Sequence, residues 1–75
     1  MNNLPNLSDL KVFCTVAKLK SFVESAEELG TSPAFISKRI NILENTLSCK
    51  LFHRSTRHVS LTEDGKLILE RVSNI

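Results

Sequence analysis

Residues 21–44 read SFVESAEELGTSPAFISKRINILE and contain two short helical patterns joined by a tight turn. In the first pattern, Phe22, Ala26 and Leu29 share one apolar edge. Gly30 ends this pattern, because glycine adopts a positive φ without steric cost. Two helices separated by so short a turn are typical of a helix-turn-helix motif.

The second helical pattern has one apolar face and one small, polar face. Thr31 or Ser32 supplies its N-cap, and Pro33 suits its first turn, where no backbone donor is missed. Its apolar residues follow a helical spacing of i, i+4, i+7 and i+11: Ile36, Ile40, Leu43 and Leu47. The opposite face carries Ala34, Lys38, Asn41 and Asn45, flanked by Phe35 and Ser37. Small and amide side chains around a lysine suit base edges and phosphates, whereas a purely structural surface would more often carry Glu–Lys pairs.

The flanking segments complete a mainly α winged helix-turn-helix, with a three-helix core, a short two-stranded wing and a C-terminal helix. The first helix should begin after Ser8 as its N-cap and bury a stripe of Leu10, Phe13, Cys14 and Ala17. Residues 51–54 and 58–61 alternate loosely and predict the wing. Thr62 should cap the last helix, which shows no stop signal before Ile75. We therefore expect a DNA-binding domain over 1–61, and over 62–75 the start of a linker helix belonging to a longer protein.

Charge is distributed unevenly along this 75-residue chain, although its net charge is only +2. Residues 31–60 hold five Lys or Arg against one Glu, a net charge of +4, which favours a polyanionic partner. The sequence contains no apolar run long enough to span a bilayer, and its N-terminus does not resemble a secretory signal. Cys14 and Cys49 form no disulfide framework, so we expect a reducing, cytoplasmic compartment and no membrane partner.

Cys49, His53 and His58 raise the alternative of a metal site or a Cys–His nucleophile. Their spacing matches no zinc pattern, a fourth ligand is missing, and no carboxylate or oxyanion partner accompanies them. We therefore expect no metal, cofactor or catalysis, and we leave open whether the histidines contact phosphate or only solvent.

The chain resembles the N-terminal winged helix-turn-helix domain of LysR-type transcriptional regulators from about Leu7 to its end. The matching segments, in order and at the family's spacing, are Leu10-x-x-Phe13-x-x-Val16-Ala17, Ser21-Phe22, Ala26-x-x-Leu29-Gly30, Ser37-x-x-Ile40-x-x-Leu43-Glu44, Leu51-Phe52-x-Arg54, Arg57 and Leu61-Thr62-x-x-Gly65. This resemblance implies a bacterial transcription factor that is a dimer or tetramer. It also implies a C-terminal domain, missing here, through which a small-molecule effector would act.

Four positions depart from the family pattern. Pro33 stands where a DNA-contacting Gln is frequent, and Phe35 where a small residue is usual. Lys38 replaces an Arg and loses its bidentate fork, and Ser48 replaces a Gly at the turn after the helix. The DNA sequence that this chain recognises therefore cannot be inherited from a relative.

We expect two sets of functional residues. Contacts to double-stranded DNA are predicted for Ser21, Ser32, Pro33, Ala34, Phe35, Ser37, Lys38, Asn41, Arg54 and Arg57. Phe35 has three interpretations: core filler, packing against the second helix, or an apolar surface for a thymine methyl group. In the last helix, Ile68, Val72 and Ile75 are expected to follow the domain surface while Leu67 and Leu69 are left for a partner, and the predicted dimer contacts are Leu67, Leu69 and Val72.

The dimer should bind an interrupted palindrome, and a longer last helix should tighten it. The competing interpretation is a winged helix that binds protein and does not read DNA.

Overall fold

The computed structural model describes residues 5–54 and 59–73. Three helices come first: α1 (Leu7–Leu19), α2 (Phe22–Leu29) and α3 (Pro33–Leu47). Strands β1 (Phe52–Arg54) and β2 (Val59–Leu61) form an antiparallel pair in which Phe52 faces Leu61, and α4 (Glu63–Ser73) follows. The predicted winged helix-turn-helix is confirmed. The wing residues between the strands, 55–58, lie outside the described residues. Among the helices of residues 5–54 and 59–73, none is long and apolar enough to cross a membrane.

The core lies where α1, α2, α3 and β1 meet. Its largest fully buried apolar side chains are Phe13, Val16, Ile36, Ile40, Leu43 and Leu51. The stripe predicted for α3 is therefore confirmed at three positions, and Leu47 packs against its edge. In α1 the buried apolar residues are Val12, Phe13 and Val16, while the predicted Leu10, Cys14 and Ala17 are only partly buried. The apolar face of α1 is thus rotated from the predicted stripe towards Val12 and Val16.

Polar caps define the starts of the first three helices. The prediction of Ser8 as the cap of α1 is wrong, because Asn6 Oδ1 accepts a hydrogen bond from Ser8 N at 2.7 Å. Asn6 has extended backbone angles and precedes the first helical residue, whereas Ser8 already lies in the first turn. Ser21 Oγ accepts from Glu24 N at 3.1 Å, and Ser32 rather than Thr31 caps α3.

Three helices end at residues with left-handed backbone angles. Gly30 ends α2 with a φ of 70°, as predicted, but Lys20 and Ser48 end α1 and α3 with φ values of 57° and 58°. A side chain in this region costs about 1–2 kcal/mol relative to an ordinary conformation. The replacement of glycine by Ser48 therefore leaves the turn geometry in place at a cost in stability.

The start of α4 is bound directly to the segment that leads into the wing. Thr62 Oγ1 donates to Lys50 O at 2.6 Å and accepts from Gly65 N at 2.9 Å, which confirms it as the cap. Gly65 is buried so closely that a Cβ there would overlap the carbonyl oxygen of Leu51 and lie 2.9 Å from Leu61 Cδ2. The φ of Gly65 is not positive, so its backbone conformation does not require glycine. Glycine is needed here because the chain segments approach so closely that a side chain has no room.

Gly65→Ala should therefore destabilise the fold even though alanine favours helix. The added methyl group meets backbone, and such overpacking costs about 1–3 kcal/mol, more than the gain in helix propensity. Thermal unfolding followed by circular dichroism should show a midpoint lower by several degrees, while Lys66→Ala on the exposed side of the same turn changes it little. An unchanged midpoint for Gly65→Ala would contradict this packing.

Replacing Ser25 should instead increase the stability of the fold. Its side chain is fully buried in α2, and its Oγ has no hydrogen-bond partner among the described residues. Ser25→Ala should raise the free energy of unfolding by about 1 kcal/mol more than Ser37→Ala does, because both gain helix propensity but only Ser25 loses an unsatisfied hydroxyl. Chemical denaturation of the two variants measures the difference. Equal effects would indicate that the Ser25 hydroxyl is satisfied in solution.

Candidate nucleic-acid interface

The predicted reading face of α3 is exposed. Pro33, Ala34, Lys38 and Asn41 are all solvent-exposed, Ser37 is partly buried, and the aromatic side chain of Phe35 is 47% exposed. This exposure excludes the interpretation of Phe35 as core filler. Together these side chains form a surface, which we call the α3 reading face, with an apolar leading turn followed by polar groups and one cation: Pro33, Ala34, Phe35, Ser37, Lys38 and Asn41.

Ser32 is committed to capping at the leading end of this face. Its Oγ accepts a hydrogen bond from Phe35 N at 3.2 Å, which fixes the first turn of α3. Ser21 has the same role at the start of α2. Both predicted contact residues thus have a structural function, and a DNA contact from either remains a prediction.

Two neighbouring cations of α3 have different surroundings. Lys38 is exposed and forms no ion pair within residues 5–54 and 59–73. Arg39 instead binds Asp9 of α1, with Nε and Nη2 donating to the two carboxylate oxygens at 2.6 and 2.8 Å. The hydrogen bond that Arg39 donates to Asp9 raises the pKa of Arg39, and Asp9 itself is buried. Arg39 therefore anchors α3 to α1, and its charge does not belong to the reading face.

Glu44 is a buried carboxylate on the wing side of α3. It is only 4% exposed. Its Oε2 accepts a hydrogen bond from Leu51 N at 2.8 Å and a longer one from Phe52 N at 3.4 Å. Glu44 thereby satisfies two backbone amides at the entrance to β1, where buried donors would otherwise lack partners.

Arg54, a predicted DNA contact in the wing, lies between α3 and α2. Its Nη2 is 3.3 Å from Glu44 Oε1, and its guanidinium lies 5.3 Å from the centre of the Phe22 ring. The Arg54 side chain remains 31% exposed. Lys50 Nζ approaches the same carboxylate oxygen at 3.7 Å, but its side chain is 79% exposed. Arg57, the other predicted wing contact, lies outside the described residues.

These ion pairs change how the local positive charge is interpreted. Of the basic residues in 31–60, Arg39, Lys50 and Arg54 each lie within 4 Å of a carboxylate oxygen. The formal charge of +4 in this segment therefore overstates the field that it presents to a polyanion, since Asp9 comes from outside the segment. Neither anchor was predictable from the sequence, because Asp9 and Glu44 occupy positions that are also compatible with solvent-exposed helix surfaces.

The predicted dimer residues of α4 do not share one face. Leu67 is 57% exposed, whereas Leu69 packs against the core beside Ile68, and Val72 is partly buried. Leu69 is therefore less accessible to a partner than predicted, and a dimer contact by it stays a prediction. The cause is helical geometry, because Gly65, Ile68, Leu69 and Val72 follow the i, i+3, i+4, i+7 spacing of a single stripe.

Val72 lies at the edge of an apolar groove between α1 and α4. The groove is also lined by Leu7, Leu10 and Cys14, and Leu7 is 81% exposed. The predicted partner surface is therefore better described by Leu67 and this groove than by Leu67 and Leu69.

The surroundings of Cys49 do not favour nucleophilic chemistry. Burial raises the pKa of its thiol, and the nearby carboxylates of Asp64 and Glu44 raise it further. A raised pKa lowers the fraction of reactive thiolate at neutral pH. No group of three potential metal ligands occurs in the described part of the chain, which omits His58.

Comparison with known proteins identifies the family. Residues 7–66 match the family model for the bacterial regulatory helix-turn-helix protein, lysR family. The chain belongs to the LysR family. It is 56% identical over 75 residues to the HTH-type transcriptional regulator DmlR and 44% identical over 75 residues to the HTH-type transcriptional activator TtdR, both from Escherichia coli (strain K12). Each comparison covers the whole of this chain and 24% of the relative, so the chain spans about a quarter of the length of these LysR regulators.

Solved LysR structures share the fold. The oxidized form of Corynebacterium glutamicum OxyR superimposes with a TM-score of 0.90 at 34% identity, covering 95% of this chain and 22% of that one. The BenM DNA-binding domain in complex with benA site 1 DNA gives a TM-score of 0.87 at 28% identity, over 92% of this chain and 78% of that one. Full-length CbnR complexed with its target DNA gives a TM-score of 0.85 at 30% identity, covering 99% of this chain and 24% of that one.

Proposed function

We propose that this chain is the DNA-reading domain of a bacterial transcriptional regulator, that it binds double-stranded DNA sequence-specifically, and that it has no catalytic role. The observation that carries this proposal is the two-sided use of α3: Ile36, Ile40 and Leu43 bury one side, and the α3 reading face leaves the other side free. A helix of this kind fits the major groove, where donors, acceptors and methyl groups distinguish the base pairs. The DNA complexes of BenM and CbnR support the same interpretation.

The reading face suggests a role for each part of α3. Ala34, Ser37, Lys38 and Asn41 should lie nearest the bases, because they belong to the α3 reading face and the N-terminal part of the helix should enter the groove. Serine and asparagine recognise base edges through hydrogen bonds, while a lysine binds either guanine or phosphate. Phe35 is exposed beside them, and the C5-methyl group of thymine is the apolar feature of the groove that it would contact.

Lys38→Ala tests whether α3 recognises bases. If Lys38 contacts a base, the variant should weaken specific binding by about 1–3 kcal/mol and affect random DNA less. Binding would be measured on a site selected from random duplexes and on a scrambled duplex, with Lys18→Ala, an exposed lysine of α1, as the matched control. Equal weakening on both duplexes would show that Lys38 contacts only phosphate.

Arg54 and Arg57 should meet the flanking backbone or minor groove, where a narrow A·T-rich groove favours arginine. Arg57→Ala should lower the affinity and reduce the slope of log K against log salt by about 0.9, the value for one lost phosphate contact. Arg71→Ala, at an exposed position of α4, is the control. An Arg57→Ala slope equal to that of the unmodified chain would show that the wing does not touch DNA.

The domain should act as a pair on an interrupted palindrome, with Leu67 and the groove beside Val72 as partner surface. Burial of apolar surface between the two copies stabilises the dimer by about 25 cal/mol per Å², and association costs several kcal/mol. Because the second term offsets most of the first for a small contact surface, a weak dimer is expected. Two linked half-site contacts would then act at high effective concentration.

Leu67→Lys should abolish this self-association and the cooperative binding of two copies to a palindrome. Ser73→Lys adds the same charge at another exposed position of α4 and should leave both unchanged. Sedimentation at high protein concentration and gel shift on one or two half-sites provide the readouts. A dimer that survives Leu67→Lys, or an unmodified chain that is monomeric throughout, would reject the dimer role of this surface.

The whole protein is proposed to be cytoplasmic and to carry a C-terminal domain that binds a small-molecule effector, as the length of its relatives suggests. The competing protein-binding module is distinguished by gel shifts at several salt concentrations. DNA binding requires log K to fall steeply with log salt, because phosphate contacts release counterions. A chain that binds DNA only weakly and without sequence preference would favour the protein-binding alternative.

A further inference from the structure

Glu44 places a negative charge close to the surface that should meet DNA. General electrostatics predicts that such a carboxylate weakens binding to a polyanion. Its surroundings indicate a different role, since its two oxygens have separate partners: Oε2 faces the backbone amides of Leu51 and Phe52, and Oε1 faces the side chains of Arg54 and Lys50.

We propose that Glu44 is a positioning residue for DNA binding, which holds the Arg54 guanidinium at a set position beside α3 so that the helix and the wing meet DNA as one unit. This inference rests on the proposed DNA-reading function. Arg54 is held from two sides, by the carboxylate at 3.3 Å and by the Phe22 ring at 5.3 Å. Because a guanidinium carries five donors, one edge can bind Glu44 while another stays free for a phosphate oxygen.

Preorganisation is the physical reason for a gain in affinity. A free arginine side chain loses rotamer entropy when it binds, and an arginine already held in place loses less. The pair also spans two parts of the interface, because Glu44 lies in α3 and Arg54 ends β1. The spacing between the major-groove contacts and the wing contacts is then fixed before DNA arrives.

Glu44→Gln separates positioning from folding. The glutamine carbonyl oxygen still accepts hydrogen bonds from the Leu51 and Phe52 amides, but its NH₂ group faces Arg54, and two donors cannot bond to each other. Removing a negative charge should by itself strengthen DNA binding. Positioning predicts the reverse, a loss of about 3–10-fold in affinity for the selected site, as expected when part of a charge-assisted contact is lost.

The matched control is Glu28→Gln, which removes the same charge from an exposed carboxylate in α2. It should leave affinity unchanged or raise it slightly. In an Arg54→Ala background, Glu44→Gln should cause no further weakening, because the residue that it positions is gone.

A second variant avoids the buried carboxylate altogether. Phe22→Leu keeps an apolar side chain but removes the aromatic face under Arg54, without changing net charge. It should weaken binding to the selected site in the same direction as Glu44→Gln, and this effect should also disappear in the Arg54→Ala background. The thermal midpoint of each variant, measured beside affinity, shows that the domain is folded at the binding temperature.

Weaker binding by both variants, dependent on Arg54, establishes the proposal. It is overturned if Glu44→Gln binds as well as the unmodified chain or better, as Glu28→Gln should, or if the losses persist without Arg54. Failure of the proposed function gives a different result: the unmodified chain would then show no preference for the selected duplex over the scrambled one, and the positioning role would fail with it.

Discussion

Two buried carboxylates tie α3 to its neighbours in the fold. Asp9 binds Arg39 with two short hydrogen bonds and ties α3 to α1. Glu44 ties α3 to the entrance of the wing through the amides of Leu51 and Phe52. Buried charges are costly unless paired and hydrogen-bonded, and both are. Burial of Ile36, Ile40 and Leu43 sets which side of α3 faces the core, and the carboxylate bonds tie the helix to α1 and to the wing.

The ion pairs of Asp9 and Glu44 also reduce the positive charge that the domain presents to DNA. Arg39, Lys50 and Arg54 lie beside carboxylates, so their number does not measure attraction for DNA. Lys38 is the exposed cation of α3 without such a partner in the described ranges, and it lies among small and polar side chains suited to base edges. Recognition should therefore depend more on the arrangement of the α3 reading face than on total charge.

The sequence predicted the features that follow from local rules. The apolar stripe of α3 at Ile36, Ile40 and Leu43, the cap at Thr62 and the left-handed turn at Gly30 were each predictable from spacing and residue type. The errors came from competing local possibilities: Asn6 and Ser8 are both good caps.

Features that depend on tertiary approach could not be predicted in this way. The Asp9–Arg39 pair joins residues 30 positions apart, and the tight fit of Gly65 against Leu51 requires knowledge of where α4 crosses the chain. The family resemblance supplied the fold and the class of ligand, but Pro33 stands where the family frequently has a DNA-contacting Gln.

DNA should meet the exposed side of α3 together with the base of the wing. Nuclear magnetic resonance titration of the isotopically labelled chain with a selected duplex tests it directly, since every backbone amide reports its own surroundings. The largest shifts should fall on residues 34–41 and around Arg54, with small changes in the groove lined by Leu7, Leu10 and Val72. Shifts concentrated in that groove and along α4, with residues 34–41 unchanged, would contradict the account.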